Sequence, residues 1–297
     1  AELERRLADQ LRSGLADAGQ DGYRMWDEVA ARMVDAQAPG LASRVRELAS
    51  IPSSGDGWPS RLLEEYGLLR LLTRGYAGID RLPDPLAATV RARVGFTTEA
   101  AELLRGPTVR DRWLVLGQED TADEKLTTRR VWLRGEESGR MALLLSFGAA
   151  GRAPELVLPT GLAVEADLAY HPAARPLRAV LGERRGAPGP AAAPPGAGVG
   201  AALDAYAQAL CDDPWLEAWP VVLEGVVPVP GPTGWQLADR DGDALPVWTR
   251  GSGRPALWRL AAVSGGQPVT VFGECGHRGF NPRTVWGGKD EPEGVAL

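Results

Sequence analysis

The sequence predicts an α+β protein: an N-terminal helical bundle followed by two small antiparallel β units, each a barrel or a sandwich. Three observations carry this. Apolar residues recur at helical spacing through the first hundred positions. Short runs of Leu, β-branched and aromatic residues, bounded by turn residues, take over afterwards. A stretch of Gly, Ala, Pro and one Val, GAPGPAAAPPGAGVG (186–200), divides the second part.

The helices come first. Leu3, Leu7, Leu11 and Leu15 make a one-sided stripe, and Trp26, Val29, Ala30 and Met33 make a second. Pro39 opens a helix that carries Leu41, Val45 and Leu48 on one face. IPSSGDGWP (51–59) reads as a loop. Leu62, Tyr66, Leu69 and Tyr76 then line a longer helix. Pro83 and Pro85 begin another, with Leu86, Val90 and Val94 inward, and a short helix at 99–104 ends at Gly106-Pro107. Each stripe needs a covering partner, so residues 1–106 are expected to form an antiparallel bundle.

The first β unit spans 107–185. RWLVLG (112–117), LTTRRVWLR (126–134) and MALLLSF (141–147) read as strands, with GEESGR (135–140) as a hairpin link. LVLPTGLAVEADLAY (156–170) supplies one or two more. Residues 186–200 read as a semi-rigid linker. The second unit, 201–297, joins a helix at ALDAYAQAL (202–210) to strands at VVLEGVVPV (221–229), WQLAD (235–239), ALPVW (244–248), LWRLAAVS (257–264) and PVTVFGE (268–274). Asp241-Gly242 marks a turn, and Gly265-Gly266 reads as a two-residue hairpin loop.

Composition narrows the function classes. The chain has 297 residues, 44% hydrophobic and 24% charged, in the globular range. A net charge of −6 gives no general attraction to phosphate backbones. Two cysteines, Cys211 and Cys275, cannot make a disulfide framework, and free thiols in a cytoplasmic protein are expected. No run approaches the ~18 apolar residues of a membrane helix. The amphipathic start, without an apolar signal core or an initiator Met, reads as that of a fragment or processed product.

GECGHRGF (273–280) sets Cys275 and His277 two apart. They could supply part of a metal site, or a nucleophile and its base, or the tip of a hairpin. The hairpin is the favoured reading, so no catalytic and no metal-ligating residue is assigned. DRDGD (239–243) resembles the start of a calcium loop but has Ala244 where Gly is needed and Arg250 where a bidentate Glu is needed, so it reads as a turn. GGKD (287–290) lacks the upstream glycine of a phosphate loop. His171, before a proline, reads as a surface or capping residue. Arg129, Arg130 and Arg134 with Trp132 are the nucleic-acid candidates, since arginines and an aromatic on a strand can meet phosphates and stack bases. Alternation divides them between two faces, and Asp120, Asp123, Glu136 and Glu137 stand near.

AARMVDAQAPGLASRVREL (30–48), RVGFTTEAAE (93–102), VRDRWLVLGQ (109–118), RRVWLRGEESGR (129–140), DDPWLEAWPV (212–221) and WRLAAVSGGQPVTVFGECGHRGF (258–280) resemble the region downstream of the zinc finger in SWIM zinc finger proteins of high-GC bacteria. In that family the finger binds zinc through a C-x-C…C-x-H signature. This chain has two cysteines and no C-x-C, so the resemblance implies zinc binding outside this sequence and no cofactor within it. It also implies protein partners, a MoxR-type AAA+ ATPase or a von Willebrand factor A-type protein among them, because such genes are often neighbours. The expected function is a non-catalytic interaction module. Nucleic-acid binding together with the finger is the alternative, and an unrecognised enzyme the second.

Overall fold

The computed structural model describes residues 2–15, 22–122, 126–232, 234–248, 253–287 and 293–297. Asp123, Arg250 and residues 288–290 of GGKD, weighed above, lie outside them. The chain divides into two compact units. The first is Ala1–Thr98 with two short later segments, Pro172–Arg175 and Asp212–Trp215; the second is the remainder.

The first unit is helical: α1 (Glu2–Ser13), α2 (Gly22–Asp35), α3 (Pro39–Glu47), α4 (Trp58–Ala77) and α5 (Asp84–Val94). A 3-10 turn, Leu48–Ser53, occupies the start of the expected loop. The predicted stripes meet in one core of Leu3, Leu7, Trp26, Val45, Leu62, Tyr66, Leu69 and Val90. Trp26 tilts against Tyr66 at 5.8 Å, and burial pushes the Tyr66 hydroxyl pKa up to about 12. Three stripe residues fall outside this core: Leu11 is exposed, Leu86 is only partly buried, and Tyr76 is exposed and stacks on Phe96. The start of α3 meets the end of α5 through two glycines. A Cβ on Gly40 would stand 2.7 Å from the Arg93 carbonyl oxygen, and one on Gly95 (φ +119) 2.6 Å from the Gly40 nitrogen.

The two later segments complete this unit. Trp215 is buried in the bundle core and its indole N–H donates to the Leu68 carbonyl at 2.9 Å. Arg93 at the end of α5 grips Asp213 with Nε and Nη2, the shortest bond 2.6 Å, and the Asp213 carboxylate also accepts the Trp215 N–H. The Ala174 N–H donates to the buried Thr89 hydroxyl at 2.8 Å, and Arg175 pairs with Asp212.

The second unit opens with a single helical turn, α6 (Ala100–Leu103). Five strands then close a barrel in the order β1-β2-β3-β5-β4: β1 (Val109–Ala122), β2 (Leu126–Gly135), β3 (Met141–Ala149), β4 (Leu162–Tyr170) and β5 (Arg178–Pro190). Neighbours are antiparallel except β3 and β5. Trp113, Val115, Val131, Leu133 and Leu168 fill the barrel, and the Trp113 indole N–H donates to the Ala166 carbonyl. After α7 (Val199–Asp212) come β6 (Ala218–Gly231), β7 (Gly234–Ala238), β8 (Ala244–Pro246), α8 (Gly253–Ser264), β9 (Val269–Gly276), β10 (Gly279–Trp286) and β11 (Val295–Ala296). These strands make one sheet, ordered β11-β10-β9-β6-β7-β8. Just past β8 the edge curls back, and the Trp248 N–H donates to the Phe280 carbonyl at 2.9 Å. Leu114, Leu116 and Trp132 point out of the barrel onto Val222, Phe272 and Trp286 of the sheet. Strands buried on both faces read as unbroken apolar runs, which is why RWLVLG and VWL show no alternation.

Three local expectations are corrected. LWRLAAVS is not a strand but the body of α8: Ala256, Leu260 and Ser264 are buried four apart, and Gly265-Gly266 stops this helix instead of turning a hairpin. A strand not expected from sequence, β5, runs into the supposed linker. Gly189 and Pro190 pair with Ala163 and Leu162, after a bulge where Gly186 takes φ +85. The rest of 186–200 is also engaged. Ala197 bridges to Leu223, Arg134 donates to the Pro195 carbonyl, and Arg112 donates to that of Pro190. Side chains too small to order a segment leave its backbone to do so. The long first segment of the helical unit runs to Thr98.

Replacing Trp215 by Ala is expected to cost about 3–5 kcal/mol, because it empties a large core site and strips the Leu68 carbonyl of its donor. A denaturant titration followed by the helical circular dichroism signal checks this. A loss within about 0.5 kcal/mol would mean that the bundle closes without the later segment.

Candidate functional site

GECGHRGF is the end of β9, a two-residue turn and the start of β10. Its three glycines are placed by close approach. A Cβ on Gly273 would come 2.3 Å from the Asn281 carbonyl oxygen, on Gly276 2.7 Å from that of Glu217, and on Gly279 2.3 Å from that of Pro246. Only Gly279, at φ +119, also needs glycine for its backbone angle. Cys275 lies between Phe280 and Trp219 in the sheet register, 1% exposed, and burial pushes its thiol pKa up. His277 is exposed at the turn. Its Nδ1 lies 3.1 Å from the hydroxyl of Tyr206 on α7, ring edge against ring, and the same hydroxyl reaches the Glu217 carbonyl. Thus the cysteine packs as a small hydrophobe while the imidazole contacts a tyrosine. Cys211 is exposed on α7. Among the described residues no group of three or more His, Cys, Asp or Glu side chains stands where it could hold a metal ion.

The arginine strand is not one outward face. Arg129 is buried and forms a forked pair with Asp120, 2.8 and 2.7 Å, plus a bond to the Leu156 carbonyl. That pair holds the Asp120 carboxyl below its ordinary range. Trp132 is 1% exposed, tilted against Phe272 at 6.2 Å, so its faces are not open to a base. Arg130 approaches Glu119 at 3.6 Å, and Arg134 reaches the Pro195 carbonyl. Arg283, on the strand expected to pair with β9, is the centre of this region. It bonds Glu119 at 2.6 Å and Glu274 at 3.0 Å, and its guanidinium carbon lies 5.1 Å from the Trp132 ring centroid. Burial works against its charge, but the Glu119 hydrogen bond and both carboxylates raise its pKa above the usual value.

Two aspartates shape turns. Asp111 is buried and accepts the N–H groups of Arg112, Glu137 and Ser138. Burial opposes its ionisation, yet these bonds and the Ser138 hydroxyl hold its pKa below the ordinary range. It thereby caps the GEESGR hairpin. Asp239 does the same for DRDGD, taking the N–H groups of Asp241 and Asp243 on one oxygen and that of Val199, at the start of α7, on the other. The carboxylate that would have led a calcium loop is spent on backbone donors.

One surface feature escaped the sequence reading. Trp258 on α8 is 66% exposed and meets Trp235 of β7 edge to face at 5.6 Å. Nearby in sequence order, Arg278 lies over the Trp248 ring at 5.1 Å. Reading α8 as a strand hid Trp258, since the helical period is what turns it away from Leu260.

The described residues make a chain of two units: a helical bundle, and a unit that holds a five-stranded barrel and a six-stranded sheet. Within the chain, residues 1–94 match the model of the SWIM-associated four-helix bundle domain. No curated protein and no solved structure is similar enough to this chain to match. Among the described residues no helix is long and apolar enough to cross a membrane.

Two outcomes follow from this geometry. In the native protein a thiol reagent should modify Cys211 quickly and Cys275 only after denaturant is added; equal rates would show that the hairpin opens. His171 is half-buried, and burial, then Arg178, lower its pKa from 6.5 to about 4. Between these values the unfolded chain takes up a proton that the folded one refuses, so stability falls as pH falls through this window. Denaturant midpoints measured across pH 6.5 to 4 should decline less steeply for His171→Gln than for the native sequence. Parallel declines would remove His171 as a cause.

Proposed function

We propose that this chain is the non-catalytic body of a SWIM-type zinc finger protein and that it acts by binding protein partners. The observation that carries the reading is the match of residues 1–94 to the SWIM-associated bundle. Support comes from how the candidate reactive groups are used. Cys275 is core, His277 contacts Tyr206, and the arginines of β2 are turned onto carboxylates and carbonyls. Among the large apolar side chains that the described residues of the second unit expose, Trp258 is the most open, and it is braced by Trp235. Tryptophan is one of the residue types enriched at the hot spots of protein interfaces. On this reading the Trp pair contacts the partner, the partner is a MoxR-type AAA+ ATPase or a von Willebrand factor A-type protein, and zinc belongs to a finger outside this sequence.

The test is direct binding between the purified chain and each of these two proteins from the same organism, by biolayer interferometry. Trp258→Ala should weaken the complex about tenfold or more. Its melting temperature should not move, because the side chain is exposed. Absence of binding to both, or binding indifferent to Trp258→Ala, overturns the reading.

A further inference from the structure

Helix α4 turns Leu62, Tyr66, Leu69 and Leu72 into the bundle core. Its other face is open: Leu63, Glu64, Gly67, Arg70 and Leu71 are all exposed, while Arg74 at its end pairs with Glu4. Leu63 is 52% and Leu71 46% exposed, one turn to either side of Gly67. Glycine in a helix interior weakens the helix relative to alanine. Here a Cβ would meet nothing within 4 Å, so nothing among the described residues calls for glycine at this position. Among the described residues the Glu64 and Arg70 side chains form no ion pair.

These positions are symmetric about Gly67. Leu63 lies four residues before it and Leu71 four after; Glu64 lies three before it and Arg70 three after. We propose that this face of α4 docks against the same face of a second copy of the chain, antiparallel, with the twofold axis passing at Gly67. Each Leu63 then stands level with Leu71 of the other copy, and each Glu64 level with Arg70 of the other copy, every contact occurring twice as an isologous interface demands. The paired glycines let the two helix axes come close. The charge order selects this occupant: a parallel copy would set Glu64 against Glu64 and Arg70 against Arg70, whereas the antiparallel copy sets unlike charges together.

Sedimentation equilibrium of the whole chain over a range of concentrations tests this, with Glu64→Arg, Arg70→Glu and the double exchange. The native chain should dimerise. Each single exchange sets like charges level and should weaken the dimer about tenfold or more. The double exchange restores opposite signs and should return the dissociation constant to within about threefold of the native value. At concentrations where all four are monomeric they should melt alike, since both side chains are exposed. A native chain that stays monomeric, single exchanges that leave the constant unchanged, or a double exchange that fails to restore it would each overturn the proposal.

Discussion

The second unit depends on where the Arg283 guanidinium finds its partners. Apolar contact between the barrel and the sheet, Leu116 and Trp132 on Phe272 and Trp286, is non-directional and would tolerate sliding. A buried guanidinium does not. It is stabilised only where carboxylates meet it at bonding distance, and those carboxylates sit on separate strands, Glu119 on β1 and Glu274 on β9. With Trp132 of β2 beneath it, Arg283 fixes which residues of the barrel wall face which residues of the sheet. Taking the cation away would leave two like charges in a site with little water, so this cluster specifies an arrangement more than it adds stability.

The same economy runs through the rest of the unit. The segment from Gly186 to Val199 is almost without side chains that can pack, and it is ordered by backbone pairing and by arginines that reach its proline carbonyls. The tip of β9 and β10 is tight for the converse reason: three positions have no room for a Cβ, so carbonyls of Asn281, Glu217 and Pro246 approach the strand directly. Asp111 and Asp239 collect backbone N–H groups that turns would otherwise leave to solvent. Residue patterns that look chemically suggestive in a list are, in space, ways of satisfying the main chain.

The helices of the first unit were legible because each buries a single face, and a single buried face writes its period into the sequence. The strands of the barrel were legible as apolar runs between turns. α8 was not, because its Leu, Trp and Val residues suit a strand as well as a helix over eight positions, and only burial of Ala256, Leu260 and Ser264 decides between them. β5 was missed because Gly and Pro carry no strand preference, and its place comes from pairing with β4, a long-range fact. Of the residues singled out, Cys275 and His277 were assigned to a hairpin from their glycines, and a hairpin is what they occupy. In RRVWLR the acidic partners Asp120 and Glu119 are close in sequence, whereas the burial of Trp132 between two sheets has no local signal.

Trp215 is joined to Leu68 across 147 residues of chain, and Asp213 to Arg93 across 120. The bundle's domain match ends at residue 94, yet one of its core side chains arrives from far downstream. During synthesis, helices that have already left the ribosome must therefore wait for the barrel and α7 to emerge before their core is filled. A nascent chain halted before Asp212 would hold a bundle with an open socket, sensitive to chaperones and proteases. Non-local closure of this kind also slows folding in general, since a long loop must be ordered before the contact rewards it.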